Sequence, residues 1–564
     1  QPNTTGASNT ALGKGALASN TTASNNTAVG FESLVSNTTG TQNTAVGMNS
    51  LDANTTASYN TAIGTSSLGG NTTGEGNTAL GTDALRINTT GTRNTSTGTN
   101  SLDANTTGNY NTANGYNSLS ANTTADSNSA FGDYSLYYTT TGASNTGLGK
   151  SSLQQNTTGA NNTAVGYYSL LYNTTGADNT GIGYKALEAN TTGASNSAFG
   201  RYALGSNTTA SNNTAVGYNT LLVNTTGTRN TAIGELALDA NTTASENVAI
   251  GFEALKANTT AIHNTAIGYR AMYTHVTGND NTAVGQEALY TNNGGTGNTA
   301  VGRRALQLNT NALSNTAVGE YALSANTTGD YNVALGANAL DANTTASNNT
   351  AVGKDSLGAN TTGNSNTALG HNAAQDTTTG YNITAIGRES LANNTTGYDN
   401  VAVGKGTLIT NTTGTRNTGL GTAALAANTT ASYNTAVGYA ALLANTTGTS
   451  NVAVGQGSLD ANTEGAYNTA IGTDSLTGNT TGDFNTALGR AAMQLNTTAD
   501  NNTAVGRNAL YANTTGTANV AVGSRALDAN TTASYNTAVG ESALSENTTG
   551  YSNSAIGANS LDAN

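Results

Sequence analysis

Three histidines, His263, His275 and His371, are the side chains best suited to acid–base or metal chemistry in this sequence. Histidine titrates near neutrality and ligates metals, but either role needs partners: a nucleophile and an orienting acid, or further ligands around one ion. The three lie far apart in the repeat described below, with no acid or nucleophile recurring beside them, so they read as incidental surface residues. Aspartate recurs in the phrase Leu-Asp-Ala-Asn, at Asp52, Asp103, Asp239, Asp341, Asp460, Asp528 and Asp562. Calcium needs several oxygens around one point. In a stacked-strand structure these aspartates are at least ~9 Å apart along the axis, so they read as solvated surface charge. Cysteine is absent, which excludes disulfides and thiolate metal sites. The expectation is no enzyme, no catalytic residue, no metal and no cofactor.

Modification and surface binding are the remaining chemistries. Asn-Thr-Thr recurs as an N-x-[ST] acceptor for glycosylation, at Asn20, Asn37, Asn54, Asn71, Asn105, Asn156, Asn190, Asn224, Asn326, Asn343, Asn411, Asn513 and Asn530 among others. The alternative is a buried polar corner, because an inward Asn ladder and a glycan compete for the same side chain. The threonine rows suggest ice binding, although adjacent Thr-Thr places only one of each pair outward. Tyrosines such as Tyr59, Tyr110, Tyr167 and Tyr184 fall at expected turns and could stack on sugars. The net charge of −13 and the thin scatter of Lys and Arg argue against nucleic acid. No apolar run approaches the ~18 residues that span a bilayer.

The element that positions all of these residues is a repeat. Asn-Thr-Ala-φ-Gly recurs every 17 residues from Asn9 to Asn553, 33 copies without insertion or deletion. The unit reads N-T-A-φ-G-x-x-[AS]-L-x-x-N-T-T-[GA]-x-x, with columns numbered 0 to 16 from the first Asn. Column 4 is Gly in every copy, column 0 is Asn in all but Ile383, and column 8 is Leu except at Met272, Ala374 and Met493. Charges occur only in columns 5, 6, 9, 10, 13, 15 and 16. Composition alone (9% charged, 69 Gly, one Pro) resembles disorder, but a disordered chain has no reason to hold a register. The fixed length predicts an all-β parallel β-solenoid of about 33 coils, one continuous repeat domain over 1–564 with no separate caps or stalk.

Within the coil, columns 0–4 are expected to form a strand, with further extended pieces over columns 7–10 and 11–13. Columns 3 and 8 should form aliphatic ladders and Asn columns 0 and 11 amide ladders. Thirty-three coils at strand spacing span about 155 Å. Columns 2 and 4, small and never charged, suggest that the opposite strand face packs against a second chain. The chain starts at column 9 and stops at column 11, so copies would continue one another head to tail.

Ser195-Asn196-Ser197-Ala198-Phe199-Gly200, Ser552-Asn553-Ser554-Ala555-Ile556-Gly557 and Asn382-Ile383-Thr384-Ala385-Ile386-Gly387 resemble the Asn-Ser-x-Ala-Ile-Gly motif of YadA-like heads of trimeric autotransporter adhesins. The full unit also resembles the Asn-Thr-Ala-x-Gly repeats of tail-fibre-like surface proteins. The resemblance covers every copy, although the adhesin heads use a shorter coil. It implies a left-handed β-roll, trimeric or otherwise multi-chain, displayed on a cell or virion surface or outside the cell. The functional expectation is a structural or adhesive filament component whose partners are itself and glycans or a host surface. The alternatives are an ice- or carbohydrate-binding solenoid and a phage or viral tail-fibre shaft.

Overall fold

The computed structural model describes residues 4–562 and contains two compact units, residues 1–280 and 281–564. Gln1-Pro2-Asn3 and Ala563-Asn564, on which the head-to-tail expectation turns, lie outside the described residues. Both units are built from the same coil, and no helix occurs among the described residues. Each coil contributes one three-residue strand over columns 1–3: β1 (Thr10–Leu12), β2 (Thr27–Val29) and so on at 17-residue spacing to β16 (Thr265–Ile267) in the first unit. The second unit runs from β17 (Thr282–Val284) to β33 (Ser554–Ile556). Strands pair in parallel and in strict register, for example Thr44↔Thr61, Ala45↔Ala62 and Val46↔Ile63. Each unit is thus an all-β parallel solenoid.

Because each strand is so short, most inter-coil bonds come from outside it. In the coil of residues 26–42, the N–H groups of Thr27, Leu34, Ser36 and Thr38 donate forward to the carbonyls of Asn43, Ser50, Asp52 and Thr55 at 2.9–3.1 Å. Those of Gly30 and Glu32 donate backward to Leu12 and Lys14 at 2.8 and 2.9 Å. The whole perimeter is therefore stapled to its neighbours, which satisfies the demand that buried backbone groups find partners.

Columns 5–10 form consecutive tight turns, not the expected extended piece over columns 7–10, and columns 12 and 13 are bent as well. In the coil of residues 60–76, the N–H groups of Ser67, Gly69 and Asn71 donate to the carbonyls of Gly64, Ser66 and Leu68. Ser66 and Leu68 have φ of +52° and +51°. A positive φ at the third residue alone makes the first two turns type II. Columns 6, 8 and 16 are left-handed in every coil, as at Glu32, Leu34 and Asn25. This conformation strains most L-residues by ~1–2 kcal/mol and is worst for β-branched side chains. Val, Ile and Thr accordingly never occupy columns 6, 8 or 16, although Thr dominates columns 1, 12 and 13. The invariant column-4 glycine has φ near +135°, and at Gly30 a Cβ would lie 2.3 Å from the Gly47 carbonyl oxygen, so stacking and backbone both require Gly.

The two faces of the strand are the reverse of the expectation. Column 2 (Ala28, Ala45, Ala351) points inward and is fully buried, whereas column 3 points outward: Leu335 is 46% and Leu148 49% exposed. The cause is the closeness of the opposite wall. At Gly147, in column 2, a Cβ would meet Ser135 Oγ at 2.4 Å, Ser152 Oγ at 2.9 Å and Leu136 Cγ at 3.4 Å, so the column holds only Gly, Ala or, at Ser96, Ser. Column 8 Leu is the one large interior side chain, as expected. Column 7 Ala or Ser and the Asn of columns 0 and 11 complete the interior.

At column 8, Leu340→Met should be nearly neutral, while Leu340→Ile, equal in volume, should destabilise by about 1–2 kcal/mol through the left-handed backbone. Leu289→Asp should locally open the stack, because it buries an unpaired charge. Both effects are read by hydrogen exchange of the flanking amides; equal protection in the Met and Ile variants contradicts the turn assignment.

Candidate interaction surfaces

The strand face presents columns 1 and 3 side by side, for example Thr299/Val301, Thr316/Val318 and Thr350/Val352. Column 3 is exposed or half-buried along the stack: Leu148 is 49% exposed, while Val301, Val318 and Val352 are half-buried. No charged residue occurs in columns 0 to 4 of any coil. In the second unit the face is one strand wide, ~10 Å, over 17 strands spaced ~4.8 Å. It therefore offers roughly 800 Å², about one partner's share of a standard protein–protein interface. The strip is uncharged, with a row of mostly Thr beside a row of aliphatic side chains, which makes it a candidate interaction surface. The sequence signal was the alternation of Thr and β-branched residues on either side of Ala, read with the faces exchanged.

The turn columns carry the variable chemistry, and stacking turns it into ladders. Tyr467 and Phe484, in column 16 of adjacent coils, stack at 5.0 Å, as do Tyr381 and Tyr398 in column 15 at 4.8 Å. Arg93 lies over Tyr110 and donates to its hydroxyl at 3.0 Å. Glu253 is almost fully buried between Lys256 (2.6 Å) and Arg270 (2.7 Å). Burial alone pushes its carboxyl up, but these two cations outweigh burial and hold it below the usual range.

The histidines part company. His371 is exposed, but His275 is buried: it replaces Asn in column 11, with Nε2 2.5 Å from the Gly278 carbonyl oxygen. His263 does have acids beside it, since Nε2 lies 2.8 Å from Glu246 and Nδ1 3.2 Å from Asp280. Arg229 extends this column-16 line, 2.8 Å from Glu246. The Arg229 hydrogen bond, then the one from His263, lowers the Glu246 pKa. The line is exposed and holds no nucleophile, and no group of described residues could hold a metal ion. The Leu-Asp-Ala-Asn aspartates from Asp52 to Asp528 are half-buried and not fully solvated; Asp562 is exposed. Burial raises the carboxyl pKa of Asp52, Asp239, Asp341, Asp460 and Asp528.

The glycosylation candidates are occupied by the fold. Asn20, Asn37, Asn54, Asn71, Asn105, Asn156, Asn190, Asn224, Asn326, Asn343, Asn411, Asn513 and Asn530 are all buried. In the column-11 ladder Asn54 Nδ2 donates to Asn37 Oδ1 (2.8 Å) and to the Ala57 carbonyl (3.1 Å); Asn343 Nδ2 likewise reaches Asn326 Oδ1 (2.9 Å) and Ala346 O (3.1 Å). The nitrogen that would carry a glycan closes the ladder instead. Column 0 adds backbone bonds to the expected amide ladder: Asn43 Oδ1 accepts from the backbone N–H of Asn60 (3.0 Å) and Asn43 Nδ2 donates to the Ala57 carbonyl (2.9 Å), while in coils such as those of Asn94 and Asn162 the Nδ2 also donates to the Oδ1 of Asn77 (3.2 Å) and Asn145 (3.1 Å) one coil back. Ile383 offers no such acceptor to Asn400. Column-12 threonine hydroxyls are also engaged, as Thr38 Oγ1 donates to the Thr55 carbonyl at 3.0 Å.

Neither a protein-family model nor a curated protein matches the sequence. No helix among the described residues is long and apolar enough to cross a membrane.

Because burial raises the Asp341 pKa above its unfolded value, the fold favours the protonated form. Its stability contribution is complete below the unfolded pKa and is lost as pH rises through the folded one. Asp341→Asn should therefore stabilise at pH 7, and the gain should disappear below about pH 4. Urea melts at both pH values check this; a gain that persists in acid contradicts it.

Proposed function

We propose that the protein is a structural component of an extracellular or surface filament. Its solenoid units serve as a stiff shaft, and its turn columns are available for contact with a surface or with glycans. The observation that carries this reading is the uncharged Thr/Val strand face, which recurs from coil to coil and has no covering element among the described residues. A face that repeats at the coil spacing is matched best by another face with the same repeat, so the partner is a second copy of this chain. Thr and β-branched side chains pair well across a sheet-on-sheet contact. Variation is confined to columns where it leaves the stack intact, an arrangement suited to a shaft that varies its contacts. The resemblance to adhesin heads and tail-fibre repeats supports the same assignment and a surface location.

Ice binding is the second reading. Thr of column 1 and the mostly aliphatic column-3 side chain share one outward face, with Thr in both columns at Thr95-Ser96-Thr97, which gives a regular Thr row beside a regular aliphatic row. A thermal hysteresis assay separates it from the first reading.

Val284→Lys, Val301→Lys and Val318→Lys in one chain place three like charges on the strand face without touching the interior. Analytical ultracentrifugation of the unsubstituted chain should show multi-chain species, and the triple variant should sediment as a single chain with an unchanged melting curve. A monomeric unsubstituted chain contradicts the proposal.

A further inference from the structure

The chain carries 18 Lys and Arg against 31 Asp and Glu, and most of its arginines are paired. Arg86, Arg229, Arg270, Arg303, Arg304, Arg388 and Arg416 all lie within 4.0 Å of a carboxylate. Arg490 and Arg507 break this pattern in the second unit. They occupy column 5 of adjacent coils, both exposed, and neither makes an ion pair. Strict register stacks them about 4.8 Å apart at the backbone, where like charges repel. Arg525 follows in column 6 of the next coil, its N–H donating to the Arg507 carbonyl at 2.9 Å; its charge reaches Asp528 without an ion pair.

Arg490 and Arg507 border an open slot of about 270 Å³, lined also by Asp474, Ala491, Gln494, Asn508 and Tyr511; Arg525 lies one coil beyond it. The small Ala491 stands where neighbouring coils carry Asp474 and Asn508, and this leaves the gap. Asp474 lies at the end toward the preceding coil, so the positive side of the slot is that of Arg507, with Arg525 on the coil after it.

We infer that Arg490, Arg507 and Arg525, with Gln494, Asn508 and Tyr511, bind a sulfated polysaccharide. Guanidinium groups recognise oxyanions through paired N–H donors. Three of them on successive coils cover about 10 Å, longer than one oxyanion and suited to anions repeated along a polymer. The amides and the Tyr511 hydroxyl supply neutral hydrogen bonds for sugar hydroxyls, and the Tyr511 ring an apolar face for a sugar. Single-stranded nucleic acid needs several aromatic platforms between its cations, and this slot has one. The inference deepens the reading of the turn columns as contact surface and rests on it; it does not depend on pairing through the strand face.

The test is binding of the full chain to immobilised dextran sulfate, with uncharged dextran and single-stranded DNA as comparison surfaces. The chain should bind dextran sulfate and not dextran, with DNA weaker. Arg490→Ala/Arg507→Ala should lose at least tenfold in affinity while its melting curve and sedimentation stay those of the unsubstituted chain. Arg303→Ala/Arg304→Ala, which removes paired arginines elsewhere, should retain binding. Sodium sulfate should displace the polymer at concentrations where chloride of equal ionic strength does not. Unchanged affinity in the Arg490/Arg507 variant, tighter binding to DNA, or equal displacement by chloride would overturn the site. If sulfate ion binds as tightly as the polymer per charge, the ligand is a free oxyanion and the polysaccharide assignment falls. Sedimentation reads the strand-face pairing independently, so failure of one proposal is distinguishable from failure of the other.

Discussion

Within each unit, each coil depends on the next for nearly the same set of hydrogen bonds, made at the same columns. Asn of column 11 donates to the Asn one coil back, Asn of column 0 accepts from the backbone one coil on, and backbone groups around the perimeter alternate between the two neighbours. Buried amides without partners are expensive, so a coil of any other length would leave several unsatisfied at once. The 17-residue period without insertion follows from this, and so does the confinement of sequence variation to the outward turn columns.

The narrowness of the coil imposes the remaining rules. Opposite walls approach so closely that column 2 admits only Gly, Ala or Ser, and one Leu per coil fills the space left. Turning the chain that sharply requires left-handed residues at columns 6, 8 and 16, including Leu, which tolerates the conformation poorly. Full burial of a Leu side chain contributes about 1.5–3 kcal/mol, enough to offset that strain. Placing the large interior residue at a strained position also leaves column 3 free to face outward.

The repeat, the parallel stack, the Leu column and the column-11 Asn ladder were legible in the sequence, because each rests on identity recurring at a fixed spacing. The orientation of the strand was not. Val and Ile read as core and Ala as surface when burial is judged by size, whereas here the distance to the opposite wall decides. The turns were legible in principle: the absence of Val, Ile and Thr from columns 6, 8 and 16 marks left-handed backbone in a chain otherwise rich in Thr. His263 was misjudged for a related reason. Its partners Glu246 and Asp280 are each 17 residues away, adjacent only once the columns are stacked.

The column geometry also separates the chemistries available to the protein. Interior amides are committed to the stack, the strand face is uncharged, and the turn ridges carry charges and aromatics that can differ from coil to coil. The register constraint underlies all three. Its most direct test compares two insertions after Gly329, in column 14 of a coil in the second unit: one extra glycine, and one complete 17-residue unit. The full unit should be absorbed with unchanged melting and protease resistance. The single glycine should open a cleavage site at that coil. Equal resistance of the two variants would contradict the claim that coil length is fixed by column-to-column hydrogen bonding.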